Sequence, residues 1–293
     1  TFQQKDGSSA TTTQSADGHL ESKVTLSAAA QAGETAVLPI PELPVTTRRD
    51  EAPTVTVSLS GSDPVRVEIP VADVTPGTVA VLVAADGTEK ILSASIPTQT
   101  GVAVTLSDGD TVKIVDNAKT FSDVPASHWG ADAVAFASSR ELFSGTGDGR
   151  FSPDISLSRG MLAQVLYNLQ GRPASESATF SDVPLNAWYA QAASWASEAG
   201  IFAGYGDGSF GPEDPITREQ LAVALYRYAG APETEGDLSA FSDGASVSPY
   251  ARTALAWAVE NGIFQGNGSG VLDPQGSATR VQVAQVMRQA MRL

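Results

Sequence analysis

One short motif recurs along the second half of this 293-residue chain: Phe121-Ser122-Asp123-Val124-Pro125, Phe180-Ser181-Asp182-Val183-Pro184 and Phe241-Ser242-Asp243, at intervals of 59 and 61 residues. Self-similarity at such a period constrains the fold more tightly than composition does, because every copy must adopt the same local structure. Anchoring the copies on Leu142-Phe143, Ile201-Phe202 and Ile263-Phe264 aligns Trp129, Trp188 and Tyr250 thirteen residues upstream, and Phe136, Trp195 and Trp257 six upstream. Downstream, Gly145, Gly204 and Gly266 follow by three residues, Pro153, Pro212 and Pro274 by eleven, and Arg159, Arg218 and Arg280 by seventeen, with no gap.

Each copy reads as helix, turn-rich loop, helix. In the second, Tyr189 to Ala199 carries a helical pattern that Gly200 stops, since glycine enters the left-handed cap conformation at little cost. The loop Gly204 to Pro212 cannot continue a helix, and Thr217 is placed to cap the next one, as Ser158 and Thr279 are in the other copies. A single two-helix unit cannot bury its own apolar stripe, so three are expected to pack around a shared core.

Up to about residue 118 the pattern is different. Val, Thr, Ser and Pro dominate, and runs such as Val55, Val57, Leu59 and Val65, Val67, Ile69 alternate with a period of two. About eight strands, separated by turn signals at Asp86-Gly87 and Asp108-Gly109, predict an antiparallel sandwich with no helix. Residues 1–18 are polar and read as a loosely ordered leader.

Eighteen Lys and Arg against thirty-three Asp and Glu leave a net charge of −15, unsuited to nucleic acid or to an anionic membrane. With no Cys and with His19 and His128 far apart, thiolate sites and most metal or triad chemistry are excluded, and no cofactor is expected. The Asp148-Gly149 and Asp207-Gly208 loops lack the further acidic ligands that calcium needs. The longest strongly apolar run, Val79 to Ala85, is far too short to insert in a membrane. No nucleophile elbow or phosphate loop is present, so the reading is non-catalytic. The missing initiator Met is expected of a processed mature protein or of a fragment of something longer, and the fragment is the favoured reading.

The residues Phe180-Ser-Asp-Val, Trp188-Tyr189, Gly204 to Pro212 and Ile216-Thr217-Arg218-Glu219-Gln220 make the second half resemble three tandem S-layer homology domains, over about Phe121 to Leu293. That resemblance implies an all-α bundle with pseudo-threefold symmetry. It also implies attachment to the bacterial cell wall, through grooves that hold a secondary cell-wall polysaccharide, anionic and pyruvylated. The site residues it implies are Asp123, Trp129, Arg159, Asp182, Trp188, Gly204, Arg218, Asp243, Tyr250 and Arg280. The chemistry suits them: a guanidinium matches a carboxylate at two points, an aromatic face packs on the C–H side of a sugar, and loop glycine lets backbone N–H groups come close. Each also has a plainer role open to it, the arginines bracing a helix start against a carboxylate, the aromatics acting as core staples and the aspartates fixing a turn. Phe136, Trp195 and Trp257 belong to the core.

Copy two keeps the fullest motif, so its pocket, with Arg218, Asp182, Trp188 and the Gly204 loop, is expected to be the strongest. Copy three, with Gly244, Tyr250, Ser269 and Leu272 at departing positions, is expected to be the most eroded. The expected organisation is therefore a leader at 1–18, a sandwich-like spacer or adhesin domain at 19–118, and repeats at 119–175, 176–236 and 237–293. The whole is read as the extracellular anchoring part of a larger surface protein, with other surface-layer subunits as further partners. Two alternatives remain, an adhesin whose β domain binds a host or matrix partner, and the anchoring tail of an extracellular carbohydrate-active enzyme or protease.

Overall fold

A computed structural model describes residues 1–176 and 179–292, divided into two compact units. The first is Thr1–Thr120 with Ser138–Glu141; the second is Phe121–Ala137 with residues 142 onward. The expected last residue of the third repeat, Leu293, lies outside the described residues.

The first unit holds eleven strands: β1 (Phe2–Gln3), β2 (Ser9–Gln14), β3 (Leu20–Thr25), β4 (Ala36–Val37), β5 (Thr54–Ser58), β6 (Val65–Pro70), β7 (Thr78–Val83), β8 (Glu89–Ile91), β9 (Ile96–Pro97), β10 (Gly101–Leu106) and β11 (Thr111–Asp116). They form a seven-stranded sheet, β1-β2-β3-β5-β11-β7-β8, and a four-stranded sheet, β4-β6-β10-β9. Val55, Val57 and Ile114 from the larger sheet share one core with Val67, Ile69, Val102 and Val104 from the smaller. The alternation in β6 explains why: Val65, Val67 and Ile69 are buried while Arg66 is exposed, so one face of the strand sheds water.

Three expectations for this unit need correction. The sheets are mixed, because β3 pairs with β5 and β4 with β6 in parallel. A one-turn helix, α1 (Ala28–Gln31), sits between the strands. Residues 1–18 are not a loose leader but supply β1 and β2. Apolar alternation could not reveal β2, since its Thr12 is polar and bonds the hydroxyl of the buried Ser22 of β3 at 2.9 Å. Ser138–Glu141 joins this unit through Arg140, whose buried guanidinium donates to the Ser95, Pro76 and Thr78 carbonyls.

The second unit contains α2 (Ala131–Ser139, its last two residues in the first unit), α3 (Arg159–Leu169), α4 (Ala190–Glu198), α5 (Arg218–Tyr228), α6 (Arg252–Glu260) and α7 (Arg280–Ala290). Ser158, Thr217 and Thr279 cap α3, α5 and α7 by accepting an N–H three residues on. Gln220 and Gln282 complete capping boxes in the second and third copies; Met161, at the same place in the first, has no group to do so.

This unit is not the all-α bundle expected from the repeats. Only 24% of the chain is helical against 21% strand, and the helices here run for just nine or eleven residues. Irregular segments join them, for a physical reason. The loop after each first helix turns through left-handed residues such as Gly147, Asp148, Gly206 and Gly208, and the segment before each second helix is extended. Those extended segments meet in isolated β-bridges, Ser156 with Thr279, Ser158 with Pro215 and Thr217 with Ser277. At their centre the fully buried Leu157, Ile216 and Ala278 close a ring of backbone hydrogen bonds: Leu157 N to Ala278 O at 2.8 Å, Ala278 N to Ile216 O at 2.9 Å and Ile216 N to Leu157 O at 2.8 Å.

Candidate functional site

The ring decides which residues meet. Each second helix begins with two N–H groups that have no partner inside the helix, and each time the next copy's loop accepts them. Arg159 and Gly160 donate to Asp214 and Pro212, Arg218 and Glu219 to Gly276 and Pro274, and Arg280 and Val281 to Ile155 and Pro153. Prolines thereby recur at this spacing beside a carbonyl that receives a helix start. The arginine side chains follow the same handover, with Nε donating to Phe210 O (2.9 Å) from Arg159, to Leu272 O (2.6 Å) from Arg218 and to Phe151 O (2.8 Å) from Arg280.

Each guanidinium also lies over aromatic rings. Arg159 is 4.9 Å from the Phe202 centroid and 4.7 Å from Tyr205, Arg218 is 5.3 Å from Phe264, and Arg280 is 4.6 Å from Phe151. Burial pushes all three below the ordinary arginine value, while the carboxylates of Asp214 and Asp182, of Asp273 and Asp243, and of Asp123 pull the other way. They remain charged in any case. No ion pair among the described residues involves them, so bracing against a carboxylate is not their role.

The aspartates are occupied elsewhere. Asp123 accepts from the backbone of Phe151 and Ser152, Asp182 from Phe210 and Gly211, and Asp243 from Leu272 and Asp273, all at 2.7 to 2.9 Å. Desolvation alone would raise these carboxyls, yet the paired N–H bonds outweigh it and hold all three below the ordinary aspartate value. They pin the loop that receives the arginine. Gly204 is likewise part of the loop's packing, since a Cβ there would stand 2.8 Å from Ser209 O and 3.0 Å from the Phe180 ring.

Trp129, Trp188 and Tyr250 are 65%, 60% and 59% exposed, which excludes a core staple. Each lines a groove that draws on all three copies. One groove, of about 160 Å3, combines Arg159, the Phe202 loop, α5 and Tyr250. A second, of about 300 Å3, combines Arg218, the Phe264 loop, α7 and Trp129. The third, of about 350 Å3, combines Arg280, the Phe143 loop, α3 and Trp188. Among the described residues these three grooves do not group the second copy's residues together: Arg218 lines a groove with Trp129, Trp188 lines one with Arg280, and the loop held by Asp182 receives Arg159. The ring of backbone bonds shifts each arginine into its neighbour, a displacement that no linear motif displays.

Sequence reasoning also missed the groove wall formed by the second helices, at positions two, five and nine after each arginine. These are Met161, Gln164 and Asn168 in α3, Gln220, Val223 and Arg227 in α5, and Gln282, Gln285 and Gln289 in α7. Their signal was present as an i, i+3, i+7 stripe opposite the apolar face.

The sequence profile of the S-layer homology domain matches residues 120–160, 179–222 and 240–284. An amylopullulanase from Thermoanaerobacterium thermosulfurigenes is 33% identical over 58% of this chain and 9% of its own length. A surface-layer 125 kDa protein from Lysinibacillus sphaericus is 34% identical over 55% of this chain and 14% of its own. An exoglucanase from Acetivibrio thermocellus is 31% identical over 59% of this chain and 16% of its own. The chain thus spans less than a fifth of the length of each.

Proposed function

We propose, on the premise that this chain carries three tandem S-layer homology domains, that its second unit holds a bacterial surface protein to the cell wall by binding an anionic secondary wall polysaccharide in the grooves between the copies. One observation carries this reading: three guanidiniums, two buried and one half-buried, with no ion pair among the described residues, each border a groove that also presents an exposed aromatic ring. A cation withdrawn from water without an anionic partner is poised to take one from a ligand, and the adjacent ring offers the flat apolar surface that a sugar can cover. Anchoring is a binding task, so the unit acts outside the cell as a non-catalytic module.

A second reading concerns the rest of the protein. Two relatives named above are enzymes acting on polysaccharides and one is a surface-layer protein, and this chain matches only a small part of each. The proposed whole is either a surface-layer protein, with copies of itself as partners, or an extracellular enzyme that the same unit tethers. The β unit then serves as spacer; its one aromatic residue, Phe2, gives little basis for a binding face.

The test is co-sedimentation of the chain with purified Gram-positive walls before and after hydrofluoric acid removes the non-peptidoglycan polymer. Sedimentation with intact walls and release into the supernatant after extraction is the expected result. Equal sedimentation with both preparations would place the ligand in peptidoglycan and overturn the proposal.

A further inference from the structure

The three motif arginines are not equally committed. Arg159 and Arg280 are each 6% exposed and direct Nη2 at a second carbonyl, Ala203 O at 3.1 Å and Ser144 O at 2.7 Å. Arg218 is only partly buried and donates one hydrogen bond, from Nε. Among the described residues neither of its terminal nitrogens has a hydrogen-bond partner. Two Nη groups of this kind offer the planar fork that a carboxylate fits.

The wall facing Arg218 differs in the same direction. Gln282, Gln285 and Gln289 stand in a row on α7, and the side-chain amides of Gln285 and Gln289 take no protein hydrogen bond among the described residues. At the matching places in α3, Gln164 and Asn168 are bonded to each other at 2.8 Å and Asn168 also donates to Leu142 O. In α5 the middle place is Val223, which has no polar group, and Arg227 donates to Ile201 O at 3.2 Å. One groove of three therefore combines a free guanidinium fork, a row of amides with open donors and acceptors, and the exposed Trp129.

We infer that this groove is the principal saccharide site of the unit, and that Gln285 and Gln289 are its specificity-determining residues, reading hydroxyl or acetamido groups on a sugar whose acidic substituent Arg218 holds. An amide both donates and accepts, so it complements a sugar's hydroxyls and rejects an analogue that leaves it unpaired. The copy with the most divergent motif thus supplies the loop and helix of the best-equipped groove, because its departures at Gly244, Tyr250, Ser269 and Leu272 leave the α7 side of the wall intact. The inference rests on the wall-polysaccharide reading above.

The experiment is calorimetry of the full chain against polysaccharide released by hydrofluoric acid from walls of Lysinibacillus sphaericus and Bacillus licheniformis, each used native and carboxyl-reduced. Arg218→Gln should raise Kd for the native polymer by roughly tenfold to a hundredfold and abolish the preference for native over reduced polymer. Gln285→Leu/Gln289→Leu should raise Kd by about tenfold yet keep that preference, since the fork survives. Arg218→Lys should raise Kd by more than Arg159→Lys or Arg280→Lys does, because only the Arg218 fork is open to the ligand. If all three arginine variants lose binding equally, or the double glutamine variant binds like wild type, the inference falls while the anchoring reading stands. If the unmodified chain binds neither polymer, the anchoring reading fails and takes the inference with it.

Discussion

Single residues in the second unit are matched across the boundaries between copies. Gly130 lies against Val281, such that a Cβ on the glycine would come within 2.2 Å of Val281 Cγ2. Gly160 leaves room for Pro212, whose carbonyl oxygen a Cβ would meet at 3.0 Å, with the Tyr189 ring next to it at 3.4 Å. At the third boundary a buried carboxylate replaces the small-against-large pair: Glu219 accepts from Ser248 N and Oγ, Tyr250 OH and Gln275 Nε2. Burial, with the neighbouring Glu219 charge, pushes the Tyr250 hydroxyl up to about 12, so it stays a donor. Three unlike solutions at equivalent places mean that the copies cannot exchange partners, which fixes their order around the ring. Gly130→Ala should therefore destabilise the unit by about 1–3 kcal/mol, and Val281→Ala in the same chain should recover part of it. Additive losses in a thermal double-mutant cycle would show that the two positions do not meet. The aspartates give a pH prediction. Their folded values are depressed, so their contribution is present above the unfolded value of about 3.9 and is lost as pH falls through the lower folded value. Asp182→Asn should lower the melting temperature at pH 7, and the gap to wild type should narrow as pH falls below the ordinary aspartate value.

At the scale of elements, termination governs the second unit more than propensity does. The α4 and α6 helices are followed by Gly200 and Gly262, both left-handed with φ of 69° and 68°. At the same place after α2 stands Glu141, also left-handed at φ 57°. A side chain there costs about 1–2 kcal/mol that glycine avoids, partly offset by the freer glycine in the unfolded chain. Glu141→Gly is accordingly expected to stabilise the protein by up to about 1 kcal/mol, read as a rise in denaturation midpoint at unchanged slope. A fall in midpoint would indicate that the glutamate makes contacts worth more than its strain. The second helices depend on tertiary partners for their first turns, which explains why eleven residues suffice where an isolated helix of that length would be marginal.

For the molecule as a whole, closure is the dominant fact. The backbone ring through Leu157, Ile216 and Ala278 needs all three copies, and so do the acceptors of every motif arginine. A chain ending at residue 236 loses the Gly276, Pro274 and Leu272 carbonyls that receive the start of α5, and leaves Leu157 N without its acceptor. Such a chain should retain the strand signal of the first unit but lose cooperative unfolding of the second, followed by near-ultraviolet dichroism of its tryptophans. A sharp transition from two copies would show that each repeat is stable alone. The first unit is closed differently, by the seven- and four-stranded sheets around one core and by Arg140, which reaches the Ser95, Pro76 and Thr78 carbonyls from a position in sequence beyond the start of the first repeat.

The sequence by itself determined the three copies, their loops, their caps at Ser158, Thr217 and Thr279, and the switch from strand to helix near residue 118, because all of these depend on residues close together in the chain. Identity of the site residue types was legible for the same reason: Arg, Trp or Tyr, and Gly recur at fixed spacing. What only the tertiary structure decided is which of them share a groove. Arg218 meets Trp129 and α7 rather than Trp188, and the β1–β2 hairpin and Arg140 join a sheet unit although neither carries the apolar alternation of its other strands. The pairings within the second unit are set by backbone hydrogen bonds between segments about sixty residues apart or more, and loop closure over that distance leaves no periodic trace in the residues it brings together.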